Sequence, residues 1–297
     1  MTSISRPARK AAACGAFLTL ACAVTACGGQ TKAAGHKSTP STPKHIIALN
    51  PGVIEATSVA ANGSTWVLNR GASASTITEL QLPSGTKEAT VGVSPTATSV
   101  ASSPTGTIVL GLGTTNTGAI RFLNAAGRAT STLPMPAPVR DVAYGASGAR
   151  LYVLTRTPKA SAVDVLSSTT HRRLKSIGLP SDTVSIVPSS DESSLWALTA
   201  GGTITEVSLS TGAVQDAFSV GESGISLALS PSGTTLYALK GAGTSENIAV
   251  INAATSSITK VLPAASNSVD LSISVNNSAL YDFVGAASYG NLQIFAL

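Results

Sequence analysis

Five of the fourteen acidic side chains in this 297-residue chain stand at recurring places, and three basic ones keep step with them. Asp141 and Asp270 each immediately precede an apolar residue, Val142 and Leu271, of one long series. Glu55, Asp182 and Glu222 stand a few residues upstream of other members of that series. Arg70, Arg156 and Lys240 close short apolar runs. Carboxylates that converge can supply the oxygen ligands that Ca²⁺ takes, or serve a hydrolase. Arg and Lys beside them can hold an anionic or zwitterionic ligand, or a protein loop, through charge-assisted hydrogen bonds. Polar residues crowded at strand ends near water would give the same pattern with no ligand at all.

Other chemistries lack their residues or their context. The histidines are His36, His45 and His171. None has a nucleophile and an orienting acid around it, as a Ser-His-Asp hydrolase requires. His171 falls in a polar turn with Arg172 and Arg173, a small basic spot that reads as a solvated edge. Gly111-Leu112-Gly113 and Gly201-Gly202 are followed by no helical pattern, so neither reads as a phosphate loop. Three cysteines, Cys14, Cys22 and Cys27, all lie near the start. They build neither a disulfide framework nor a thiolate metal site. No cofactor and no resident metal are expected.

The series that orders these residues is a repeat. Its apolar members are Val59, Val100, Val142, Ile186, Leu227 and Leu271, spaced by 41, 42, 44, 41 and 44 residues. A second landmark, mostly aromatic, runs Trp66, Val109, Tyr152, Trp196, Tyr237 and Tyr281. A third runs Ile77, Ile120, Val163, Ile204, Ile248 and Leu292. Each unit holds apolar runs of four to six residues, rich in Val, Ile and Leu and cut by Gly, Pro or Asn, which is strand grammar and not helix grammar. Ser230-Pro231-Ser232-Gly233 and Asn252-Ala253-Ala254-Thr255 are the clearest turns. Several short strands in a unit of roughly 40–45 residues specify an all-β, six-bladed β-propeller. The last unit is one strand short. His45-Ile46-Ile47-Ala48-Leu49 is expected to supply it by pairing with the C-terminal strand, because an open ring leaves an unpaired edge. His45 is then a strand-end residue.

Leu229-Ser230-Pro231-Ser232-Gly233-Thr234-Thr235-Leu236-Tyr237-Ala238, followed by Ile248 to Thr255, resembles the YVTN-type propeller repeat. Gly148-Ala149-Arg150-Leu151-Tyr152-Val153 repeats its core. The resemblance is good in units three and five and loose in one, two and four. It implies a cell-surface propeller related to lactonase-like propellers, some of which use a central metal. Many members of that family have seven blades, whereas six are counted here, so seven is the alternative.

The start of the chain implies export. Arg6, Arg9 and Lys10 precede an apolar run from Ala11 to Val24, the length of a secretory segment and too short to span a bilayer. Val24-Thr25-Ala26-Cys27-Gly28 resembles a bacterial lipobox, which makes Cys27 the lipidation site. Residues 1–26 are read as a lipoprotein signal peptide, 27–43 as a flexible tether and 44–297 as the propeller. The stated net charge of +5 includes those three basic residues; removing them leaves 16 basic against 14 acidic side chains, or +2. That excludes the basic footprint of a nucleic-acid binder. The expectation is a monomer, lipid-anchored on the extracytoplasmic face of the cell membrane. It acts as a non-catalytic binding module for a protein or envelope ligand, through Glu55, Arg70, Arg156, Asp182, Glu222 and Lys240. The competing reading is a lactonase-type hydrolase using carboxylates at the channel mouth.

Overall fold

The structure is a computed structural model and describes residues 42–297 apart from 59, 61, 72, 222 and 242–245. The leader, Cys27 and Glu222 therefore lie outside the described residues, as does all but the end of the tether. The first strand, β1 (His45–Leu49), is followed by six groups. Blade 1 is β2 (Val53–Ala56), β3 (Ser64–Arg70), β4 (Ser75–Gln81) and β5 (Thr86–Val93). Blade 2 is β6 (Ala97–Ser102), β7 (Ile108–Gly113), β8 (Gly118–Leu123) and β9 (Ala129–Met135). Blade 3 is β10 (Val139–Tyr144), β11 (Arg150–Arg156), β12 (Ser161–Ser167) and β13 (Arg173–Leu179). Blade 4 is β14 (Thr183–Pro188), β15 (Ser194–Thr199), β16 (Thr203–Ser208) and β17 (Val214–Ser219). Blade 5 is β18 (Gly224–Leu229), β19 (Thr235–Lys240), β20 (Asn247–Asn252) and β21 (Ser257–Pro263). Blade 6 is β22 (Ser268–Ile273), β23 (Ala279–Gly285) and β24 (Gly290–Ala296), and β1 completes it.

Each blade is a four-stranded antiparallel sheet. The innermost strands β2, β6, β10, β14, β18 and β22 touch one another in that order, and β22 touches β2. The protein is a closed six-bladed β-propeller. Its closure is the one the chain pattern predicts: β1 pairs antiparallel with β24, from His45 opposite Ile294 to Leu49 opposite Gly290. Ile47 and Leu49 pack on the core between blades 6 and 1. Gly85, in the turn between β4 and β5, has φ +73° and lies so close to Ile47 that a Cβ there would stand 2.5 Å from its side chain.

Six apolar clusters hold the ring, one at each junction between blades. The second landmark of one blade meets the first landmark of the next: Trp66 with Val100, Val109 with Val142, Tyr152 with Ile186, Trp196 with Leu227 and Tyr237 with Leu271. All six members of the third landmark are fully buried. Burying each such side chain stabilises the fold by roughly 1.5–3 kcal/mol. The aromatic series is thus packing between blades. In blade 1 the structure shifts the expected first landmark. Tyr281 of blade 6 packs with Ala56, the last residue of β2. Val59 lies outside the described residues. The small size of Ala56, three positions earlier, hides the landmark from a search for large apolar residues.

Polar groups stitch the same junctions on the surface. Glu192, in the first turn of blade 4, accepts hydrogen bonds from Ser147 N at 3.0 Å and from Tyr152 Oη at 3.2 Å, both in blade 3. Arg150 stands 3.7 Å away. Burial pushes this carboxyl up, but the bonds from Ser147 and Tyr152 and the Arg150 charge outweigh it and hold the group below its ordinary value.

Deleting residues 28–43 should leave the melting temperature unchanged, because a polar tether buries little. Deleting through Asn50 removes Ile47, Leu49 and every bond to the edge of β24. It should cost on the order of 3 kcal/mol or more, read by chemical denaturation. Equal stability of the two truncations would contradict a closure that depends on β1.

Candidate functional site

In every blade the pairing of the innermost strand with the second strand skips one residue at the same place. The skips fall at Val53/Glu55, Ala97/Ser99, Val139/Asp141, Thr183/Ser185, Gly224/Ser226 and Ser268/Asp270. A β-bulge of this kind re-aims the side chain that follows it. Glu55, Ser99, Asp141, Ser185, Ser226 and Asp270 therefore occupy one equivalent position around the axis. This groups Glu55 with Asp141 and Asp270, and separates it from Asp182.

Five of the six ring residues bridge neighbouring blades, and the buried Ser99 Oγ has no hydrogen-bond partner. Glu55 Oε1 accepts from Val100 N at 3.3 Å, Asp141 Oδ2 from Ile186 N at 2.7 Å, Ser185 Oγ from Leu227 N at 3.2 Å and Asp270 Oδ2 from Ala56 N at 2.8 Å. Ser226 Oγ donates to Asp270 Oδ1. At the remaining junction Thr98 Oγ1 donates to Val139 O at 3.0 Å. All but the Ser226–Asp270 bond satisfy backbone groups on inner-strand edges that no further strand covers.

Three of the six positions carry a carboxyl group, and their charges see one another. Burial pushes Asp141 up to about 7, and the charge of Asp270 adds to the shift. Glu55 is raised well above its ordinary value by burial, then by the charges of Asp141 and Asp270. Burial raises Asp270 to about 6, with Asp282 contributing a like charge. Asp282 sits where the other blades place Val67, Leu110, Val153, Ala197 and Ala238. It is fully buried and is itself pushed up to about 6 by burial and then by the charge of Glu246. An acid at an apolar repeat position is a signal the sequence carries openly.

Glu55, Asp141 and Asp270 line an axial cavity of about 570 Å³. Its wall runs along the innermost strands to the turns at their far ends, reaching Pro104, Ala146, Ser190 and Pro231. Arg140 also lines it and is exposed; burial and then the neighbouring charge of Arg156 lower its pKa. Among the described residues no group of three or more His, Cys, Asp or Glu side chains is placed to hold a metal ion.

The remaining residues named from the sequence stand at the near end, where innermost strands begin and second strands finish. Arg70 Nη2 donates to Ala97 O at 3.3 Å, and Arg156 Nη1 to Thr183 O at 3.5 Å. Each arginine thus reaches over the first residue of the following blade. Lys240 ends β19 and is buried, whereas Asp182, exposed just before β14, accepts from Gly201 N at 3.3 Å. Neither Arg70, Arg156, Asp182 nor Lys240 lines the axial cavity. His45 is on the outer strand, and His171 stacks on Phe122 of blade 2 at 3.7 Å. Neither reaches the cavity. Arg173 pairs with Asp164 at 3.6 Å.

No protein-family model and no curated protein matches the chain. Solved structures do. The β-propeller domain of Myceliophteria thermophila Cps50 (Swd1) is similar with a TM-score of 0.65 and 11% identity, over 87% of this chain and 100% of that one. Kuenenia stuttgartiensis hydrazine synthase is similar with a TM-score of 0.61 and 14% identity, over 78% of this chain and 73% of that one. The likeness is one of fold.

The raised carboxyl groups make stability depend on pH. Asp141 binds a proton more tightly in the folded state, so its contribution is full below about 3.8, the ordinary value, and is lost as pH rises through about 7. Asp141→Asn keeps an acceptor for Ile186 N and removes the charge. Its melting temperature should exceed that of the native chain at pH 8, and the fall between pH 4 and 7 should be shallower. Scanning calorimetry across that range checks both, and an unchanged slope would contradict the assignment.

Proposed function

We propose that this chain is a non-catalytic binding module of the bacterial cell envelope, related to the YVTN-type propellers. It is exported as a lipoprotein and held at the extracytoplasmic face of the membrane through Cys27. The observation that carries the binding reading is the axial cavity. Its volume lies in the range of ligand pockets, about 300–1,000 Å³, and carboxyl groups from three blades stand on its wall. Neither described histidine lines it, which leaves its serines without the base that a triad requires. The strand ends at the near end add a second surface. There Arg70 and Arg156 hold equivalent positions two blades apart, suited to acidic groups on a protein or envelope ligand.

The hydrolase reading keeps one observation in its favour. Glu55 and Asp141 form a carboxyl pair in which one member holds a proton near neutral pH, as acid–base catalysis uses. The binding reading accounts for the same pair without a leaving group or an activated water. Turnover of a lactone panel that Glu55→Gln abolishes would favour the hydrolase.

Two outcomes test the proposal. Cys27→Ser should release the chain from the membrane fraction or leave its precursor uncleaved, checked by fractionation and mass spectrometry; an unmodified mature N-terminus elsewhere would sink the anchoring. Charge reversal by Arg70→Glu with Arg156→Glu should weaken capture of envelope components by the tethered protein, most at low salt, with the melting temperature unchanged. Undiminished capture would remove the near end from the account.

A further inference from the structure

Blade 4 shows that the bond between blades needs no charge. Ser185 Oγ takes Leu227 N at the position where blades 1, 3 and 6 use carboxylates. Glu55, Asp141 and Asp270 thus bring to the cavity wall negative charge that closure of the ring does not require. Neither ion pair found among the described residues includes any of the three. Like charges held in a poorly solvated space are costly; without a ligand these groups relieve the cost by taking up protons, and a positive group joining them would relieve it while keeping them ionised.

One further group on the same side lacks a partner. Ser272 lines the cavity, is 3% exposed, and its Oγ has no hydrogen-bond partner. It follows Asp270 by two residues on β22 in regular register, so both side chains leave the same face of the strand. On the other face of that sheet Asp282, opposite Leu271, is fully buried with Oδ1 unpartnered, and its charge reaches Asp270. From the carboxylates towards the far end the wall carries apolar side chains, Val187, Leu229 and Ile273, and one aromatic ring, Tyr144, before the serines of the far turns, among them Ser189 and Ser230. Arg140 and Arg156 keep the near end positive. A cation would enter from the far end.

The three carboxylates are not disposed to share one small ion. Carried by blades 1, 3 and 6, they reach the axis from different directions and suit a cation whose N–H donors reach in several directions and whose remainder is hydrocarbon. We infer that the axial cavity binds a protonated aliphatic amine, with its ammonium group held by Glu55, Asp141 and Asp270 and its hydrocarbon body along the apolar wall towards Tyr144. This deepens the binding reading and rests on it. A free polyamine and a lysine side chain of a larger molecule present the same chemistry.

Isothermal titration of the full chain with spermidine and with Nα-acetyl-lysine methylamide tests it, and whichever binds more tightly identifies the source. The double variant Glu55→Gln with Asp141→Asn keeps the acceptors for Val100 N and Ile186 N and should bind the preferred amine roughly tenfold more weakly or worse. Tyr144→Ala removes no hydrogen bond between blades, though its ring packs on the cluster between blades 2 and 3, and with folding verified by its melting curve it should also weaken binding. It carries the test should the double variant not fold. Arg70→Glu with Arg156→Glu should leave amine binding unchanged, so that failure here is distinguishable from failure of capture at the near end. Absence of binding by both amines would overturn the inference, as would equal affinity in the wall variants. Saturable binding of calcium chloride that excludes the amines would also overturn it, in favour of a metal site.

Discussion

Closing a ring of six sheets leaves the inner edge of every sheet without a neighbouring strand, and the structure depends on how those edges are satisfied. The bulge after the first residues of each innermost strand places one side chain per blade at the axis, and in five blades it bonds to the adjoining blade. Four of those side chains accept the backbone N–H of the following blade, and hydroxyl donors from Ser226 and Thr98 bridge the other two junctions. The apolar clusters between blades supply most of the burial. The axial bonds fix the register in which that burial is possible. Strand β1 serves the same end from outside, since a ring closed at the axis but open at β24 would still expose a pairing edge.

Charge is where the ring departs from the cheapest solution. Ser185 makes such a bond at no electrostatic cost, whereas Ser99 at the equivalent position makes none. Three carboxyl groups that raise one another's proton affinity, with Asp282 set into an apolar position behind them, break the local rule at one place in the molecule. Such departures concentrate where a protein does its work. The same argument separates the axial cavity from the near-end arginines. Arg70 and Arg156 act at a solvated surface, where they affect specificity and rate more than affinity. The axial carboxylates stand where desolvation magnifies every charge.

Much of the architecture was legible in the residues. The turn grammar and three landmark series give six blades, and the missing strand of the last unit, with the edge it would leave open, gives the closure by His45–Leu49. The packing role of Trp66, Tyr152, Trp196, Tyr237 and Tyr281 also follows from their period. Blade 1 was harder. β2 has four residues and ends in Ala56, so the first landmark there lacks the bulk that marks it elsewhere. Reading Val59 in its place moves Glu55 out of step with Asp141 and Asp270 and groups it with Asp182. The bulge has no sequence signature of its own, so the equivalence of the six ring residues needs the strand register. Asp282 was within reach, because it follows the Tyr281 landmark where five other units have Val, Leu or Ala.

The central claim is that Glu55, Asp141 and Asp270 form one electrostatically coupled group on the wall of the axial cavity. Carbon-13 NMR of the side-chain carboxyl groups, followed from pH 3 to 9, tests it most directly. The account predicts that the Asp141 resonance titrates near neutrality, at about 7, that Asp270 titrates at about 6, and that Asp270→Asn moves the Asp141 and Glu55 transitions to lower pH. Three independent titrations at ordinary carboxylate values, unmoved by that substitution, would contradict it.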